Sequence, residues 1–174
     1  PPEMQLTLSS LIAPKLPRMS EESSGEAFAW QSREYLRKLL VGKPVTFTIE
    51  YTVDAIQRSF GSVVITSSGD HVQKLVAAEG WCRVKENPRD GEKSPIHDEL
   101  VVLSAAAEHD KRGVFQDAIA ENGAFITVDR SPNTKELFES LKGKTTRALV
   151  DYVSGGASFR LVLLEAGGED DSKL

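Results

Sequence analysis

Three histidines, one cysteine and a pair of adjacent serines are the residues whose types could bind a metal or attack an electrophile. His71, His97 and His109 lie far apart, and His97 with Asp98 has no matching cluster, so zinc ligation has no support. Cys82 has neither a histidine neighbour nor a Cys-x-x-Cys partner and reads as core, and Ser9-Ser10 lacks the turn that presents a nucleophile. Gly155-Gly156 lacks the Lys-Ser and following helix of a phosphate loop. Phe28, Trp30, Tyr35, Phe47 and Tyr51 could stack on bases, but their helical or period-two spacing is that of a core. Trp30 and Tyr35 fall near the margin of their helix, where a partner domain could touch them.

The elements that position these residues are legible in the pattern. Leu6 to Ile12 alternates apolar and small polar residues and stops at Ala13-Pro14, as a strand leading into a loop. Met19 to Gly25 is polar and small, a loop. Glu26 to Val41 contains no Gly or Pro and sets Phe28, Leu36, Leu39 and Leu40 on one side, predicting an amphipathic helix stopped by Gly42 whose Arg33, Arg37 and Lys38 form a solvated face. Val45 to Val53 alternates strictly and predicts a strand, followed by a turn over 54–59 and a second strand from Gly61 to Thr66. A short helix begins near Val72 and stops at Gly80, followed by an apolar extension, Trp81 to Val84. A third helix is announced by Ser94 as cap, Pro95 in the first turn and acidic Asp98 and Glu99, and closes at Lys111-Arg112-Gly113. Ala124 to Val128 is a strand candidate and Thr134 to Leu141 a helix. Thr146 to Val153 and Ser158 to Leu164 read as a hairpin whose Gly155-Gly156 would supply positive φ, and Glu165 to Leu174 as a solvated acidic tail.

The 174 residues fit one domain, or one plus part of another, with 40% hydrophobic and 27% charged residues. No apolar run approaches the roughly 18 residues of a membrane helix. The net charge is −5, with 14 basic and 17 acidic side chains in residues 1–118 and 7 and 9 in 119–174. Bulk charge therefore argues against a nucleic-acid binder, and any such role falls to local patches. Pro1-Pro2-Glu3-Met4 has no signal-like character and reads as the start of an excised piece.

Three stretches in order, Leu8 to Arg18, Glu26 to Lys43 and Leu75 to Trp81, resemble a staphylococcal-nuclease-like repeat of the Tudor staphylococcal nuclease family. Lys111-Arg112-Gly113-Val114-Phe115 resembles the repeat's closing Lys-Lys-Gly-hydrophobic-Trp signature, with Phe115 at the tryptophan. The resemblance covers about residues 5–117 and is greatest to the family's first repeat. It implies an α+β chain: a five-stranded OB-fold barrel with about three helices. Residues 1–117 would be a repeat lacking its opening hairpin, 118–144 a linker with a short strand and helix, 145–164 the opening hairpin of the next repeat, and 165–174 a flexible tail. Thr145 to Leu164, from this chain or a neighbour, would then complete the barrel begun at Leu6.

Active nucleases of this class use carboxylates on a metal, a base that positions water, and two arginines on the developing charge. Carried onto this sequence, the first arginine is Thr7, the metal carboxylate Ile12, the base Lys15 and the second arginine Ser62. The remaining metal carboxylate belongs to an opening-hairpin turn, and the corresponding turn at Ser154-Gly155-Gly156 offers only Gly156. The resemblance therefore implies a degenerate catalytic site without the calcium of active relatives. Lys15 and Arg18, beside the old cleft, and Arg83 and Lys85, on its rim, remain as candidate phosphate contacts, although four ordinary surface cations would look the same. The resemblance further implies RNA, structured or single-stranded, and proteins of RNA-silencing complexes as partners, no membrane, and strand exchange or dimerisation through the C-terminal hairpin. It implies a chiefly cytoplasmic RNA regulator, with a nuclear role in transcriptional coactivation. Two alternatives stand beside it: a contribution to metal-dependent cleavage of structured RNA by a longer protein, and a module that contacts only proteins.

Overall fold

The computed structural model describes residues 3–16, 25–117 and 134–163. The chain divides into two compact units, 1–126 and 127–174. Arg18, the Ala124 to Val128 strand candidate and the tail lie outside the described residues. In the first unit the order is β1 (Leu6–Leu8), β2 (Leu11–Ile12), α1 (Ala29–Leu40), β3 (Val45–Val53), β4 (Arg58–Ile65), α2 (Val72–Ala78), β5 (Arg83–Val84) and α3 (His97–His109). β4 is the centre of a three-stranded sheet ordered β1-β4-β3, parallel to β1 and antiparallel to β3, and β2 pairs antiparallel with β5. This is the α+β architecture expected, with five strands and three α-helices among the described residues of the unit.

The first strand of the sequence reading is two strands. Ser10 takes a left-handed φ of 61°, which turns the chain between β1 and β2. Ser9 and Ser10 are fully buried because they serve this turn: the Ser9 N–H and hydroxyl both donate to the Gly61 carbonyl, at 3.0 and 3.3 Å, and the Ser10 hydroxyl accepts the Ser94 N–H at 3.0 Å. β1 ends there, leaving the next backbone groups of β4 without a strand. The buried Gln73 amide replaces it, accepting the Val63 N–H and donating to the Gly61 carbonyl, both at 3.2 Å. Buried polar groups are retained where they are satisfied in this way.

The core lies between this sheet, α1, α2 and α3, where Val63, Ile65, Val72, Val76, Cys82 and Leu100 are buried together. Cys82 is core as its lone occurrence implied, and burial pushes its thiol pKa up to about 11. α1 begins at Ala29, behind Phe28 in a left-handed conformation, so it is shorter than its Gly-free sequence run. Arg33 and Arg37 are not a freely solvated face, because buried Glu34 accepts from both, at 2.7 and 2.8 Å. Ser94 is not the cap of α3. The helix begins at His97, and the Ser94 hydroxyl instead donates to Glu50 at 3.2 Å.

The junction of α2 with the end of α3 explains the closing signature. Val114 N–H donates to the Gly80 carbonyl at 2.8 Å. Gly80 and Gly113 have φ of 72° and 58°, and a Cβ on Gly113 would lie 2.2 Å from the Gly80 oxygen. Both positions therefore exclude a side chain on conformation and on space.

In the second unit, α4 (Thr134–Leu141) has the bounds expected, and β6 (Ala148–Gly155) pairs antiparallel with β7 (Ser158–Leu163) in a two-stranded sheet. The hairpin is the one expected, but its turn is not: neither Gly155 nor Gly156 takes a φ in the left-handed range. The Ser154 hydroxyl donates to the Ser158 carbonyl at 3.0 Å across the turn instead.

Candidate nucleic-acid interface

The short pairing of β2 with β5 builds the candidate site. Its register sets Ile12 directly opposite Arg83, and the Lys85 N–H donates to the Ser10 carbonyl at 2.9 Å, extending the pairing past β5. The two rim cations are thereby held beside the positions at which chemistry was sought. Arg83 lies 4.8 Å from the centre of the Phe115 ring, and the Lys85 ammonium 5.2 Å from that of Phe60. Such cation–π contacts hold a charge at the surface without neutralising it, at about 0.5–1 kcal/mol each when exposed.

Phe60 joins the remaining positions. Thr7 pairs with Phe60 in the parallel register of β1 on β4, and Ser62 follows two residues later, on the same sheet face, opposite Thr48. Tyr51 stacks on Phe60 with centroids 4.9 Å apart. Tyr51 comes after a break in register between Ile49 and Tyr51, with Glu50 at the irregularity. Burial first, then the Glu92 and Glu50 carboxylates, raise the Tyr51 pKa, so the ring presents a neutral phenol.

Lys15 sits in the loop after β2, where its backbone closes a reciprocal pair with Glu26: the Lys15 N–H donates to the Glu26 carboxylate at 2.9 Å, and the Glu26 N–H donates to the Lys15 carbonyl at 2.8 Å. This clamp fixes where the loop leaves and rejoins the fold. Thus Arg83 lies across from Ile12, Lys85 is linked to Thr7 through Phe60, Lys15 is three residues beyond Ile12, and Arg18 falls outside the described residues.

Thr7, Ile12, Lys15 and Ser62 offer an alcohol, a hydrocarbon, a cation and an alcohol. A divalent cation needs anionic or carbonyl oxygens, and here it would face Arg83 across the strand pair from Ile12. The donor set does not fit calcium. Among the described residues, no group of three or more His, Cys, Asp or Glu side chains could hold a metal ion. What the arrangement can do is attract anions.

Phe60 and Phe115 escaped the reading of the sequence as functional residues. The signal available was slight: Phe115 was noted only as part of the closing signature, and a ring that supports a cation 25 or 32 residues away in the chain has no local spacing to betray it.

The model of the family "Staphylococcal nuclease homologue" matches residues 5–117. The chain belongs to the staphylococcal nuclease homologue family. The match ends two residues past the closing signature, whose glycine seals α3 to α2. Among curated proteins, this family member is 35% identical over 182 residues to Ribonuclease TUDOR 2 of Arabidopsis thaliana, covering 94% of this chain and 17% of that protein. Ribonuclease TUDOR 1 of the same plant gives the same identity and coverage. Staphylococcal nuclease domain-containing protein 1 of Drosophila melanogaster is 31% identical over 172 residues, covering 94% of this chain and 18% of that protein. The chain thus spans less than a fifth of the length of these relatives.

Proposed function

We propose that this chain is a nucleic-acid-binding and protein-scaffolding module of a multidomain RNA regulator, built on a nuclease fold whose own catalytic positions are degenerate. The observation that carries this reading is the placement of Arg83 and Lys85, each on an aromatic ring, beside Ile12 and Thr7. Cations beside catalytic positions that themselves carry no carboxylate attract a phosphate backbone and give it no activated water. RNA is the preferred ligand because relatives are named ribonucleases, and RNA silencing, RNA turnover and transcriptional coactivation are the roles that the resemblance to the Tudor staphylococcal nuclease family implies. The location that goes with these roles is chiefly cytoplasmic, with a nuclear fraction. In a longer protein the module would hold RNA while other repeats cut it.

The test is a salt titration of binding to a labelled single-stranded RNA. Binding should weaken steeply with salt, and alanine at Lys15, Arg18, Arg83 and Lys85 should lower the slope by about 1 for each phosphate no longer neutralised. A chain that binds no RNA at low salt would leave the protein-scaffold reading in its place.

A further inference from the structure

Ser10 takes a left-handed φ of 61°, a conformation that glycine adopts without strain and that a side chain disfavours. What serine adds at this turn is an acceptor. Its hydroxyl takes the Ser94 N–H at 3.0 Å, while its carbonyl takes the Lys85 N–H at 2.9 Å. One fully buried residue thereby holds both ends of the segment from Lys85 to Ser94. A segment of this length closed at its base has the form of an Ω-loop.

The same two ends are joined a second time, across the candidate interface. The Lys85 ammonium lies 5.2 Å from the centre of the Phe60 ring, and Tyr51 stacks on that ring at 4.9 Å. Glu50, next to Tyr51 in the chain, accepts the Ser94 hydroxyl at 3.2 Å. The contacts therefore form a closed circuit, from Ser10 to Lys85, Phe60 and Tyr51, then from Glu50 through Ser94 back to Ser10. Members of such a network support one another, so opening one link loosens the others. Lys85 has the most freedom to regain, because a long side chain rotates unless it is held. Arg83 stands apart, since its ring is Phe115, outside the circuit.

We propose that Ser10 is a positioning residue of the RNA interface, whose hydroxyl closes the circuit that holds Lys85 on Phe60 before a phosphate arrives. A cation ordered in advance loses less freedom on binding, which is how preorganisation raises affinity. The proposal rests on the RNA reading and adds to it a residue that the ligand never touches, since Ser10 has no exposed surface.

The test is a double-mutant cycle read by binding of labelled single-stranded RNA at low salt. Ser10→Gly removes the hydroxyl and keeps the turn, and it should weaken binding about fivefold, the effect of ordering one long side chain. Combined with Lys85→Ala it should bind no more than about twofold more weakly than Lys85→Ala alone, whereas its effect should add in full to that of Arg83→Ala. A serine that only supports the fold would leave the affinity of the folded chain unchanged, or would add in full to both substitutions, and either result overturns the proposal. So does a Lys85→Ala variant that binds as wild type while Arg83→Ala does not. These results leave the RNA reading standing, while a wild-type chain that binds no RNA overturns both. Should Ser10→Gly lose its circular dichroism, Ser94→Ala opens the circuit at Glu50 with Ser10 intact. The same coupling to Lys85 is expected of it, and full additivity overturns the proposal equally.

Discussion

The junction of α2 with α3 and the cleft beside β2 are two regions of one fold held to different standards. At the junction, Gly80 and Gly113 meet backbone to backbone, and a single added methyl would collide with a carbonyl oxygen. In the cleft, the positions that would need arginine, carboxylate, base and arginine carry Thr7, Ile12, Lys15 and Ser62. The difference teaches that residues which make this fold and residues which make its chemistry are separable. Packing constraints act whatever ligand the surface serves, whereas a cleft can carry cations or alcohols at such positions without loosening the core.

Substitutions should divide accordingly. Gly113→Ala should have the largest effect, about 4 kcal/mol or more of lost stability, because strain at positive φ adds to a backbone clash. Urea unfolding followed by Trp30 and Trp81, both in the first unit, would measure it, and near-native stability would break the comparison. Leu100→Ala, at a side chain with no exposure, should cost about 3 kcal/mol by cavity formation in the same assay.

Cys82 gives a pH signature of the same core. Its thiol is raised from 9.0 to about 11 by burial, so between these values the folded chain holds a proton that the unfolded chain has released. Stability from this group is complete below pH 9 and is lost as pH rises towards 11, by about 2 kcal/mol. Tyr35 and Tyr51 are also raised, chiefly by burial, and contribute their own alkaline loss. The comparison is therefore between wild type and Cys82→Ala across that range: the variant should lack the thiol's share, and parallel curves would contradict it. The smallest effect on stability belongs to the cleft, where Arg83→Ala and Lys85→Ala should each change it by less than about 1 kcal/mol while weakening RNA binding at low salt. A large loss of stability there would mean the two regions are not separable.

The sequence made the long elements legible because their patterns are local. The strict alternation of Val45 to Val53 became β3, the Gly-free run became α1, and the glycine before Trp81 ended α2. What stayed hidden depends on distant partners. Ser10 looks like any strand residue until its hydroxyl is seen to accept from Ser94, and Ser94 reads as a cap because nothing local says that Glu50 will claim its hydroxyl. The glycine pair at 155 and 156 suggested left-handed turn geometry, whereas side-chain bonding from Ser154 supports the turn without it. The cleft was half legible: motif positions named Thr7, Ile12, Lys15 and Ser62, but only the strand register shows Arg83 across from Ile12 and Phe60 beside Thr7.

The claim that this module binds without cutting is tested most directly by incubating the purified chain with labelled single-stranded RNA and calcium, following anisotropy and then strand length in the same sample. The account predicts an anisotropy rise that salt reverses, smaller in the Arg83→Ala, Lys85→Ala double variant, with the RNA recovered at full length. Calcium-dependent shortening of the RNA that a chelator abolishes would contradict it.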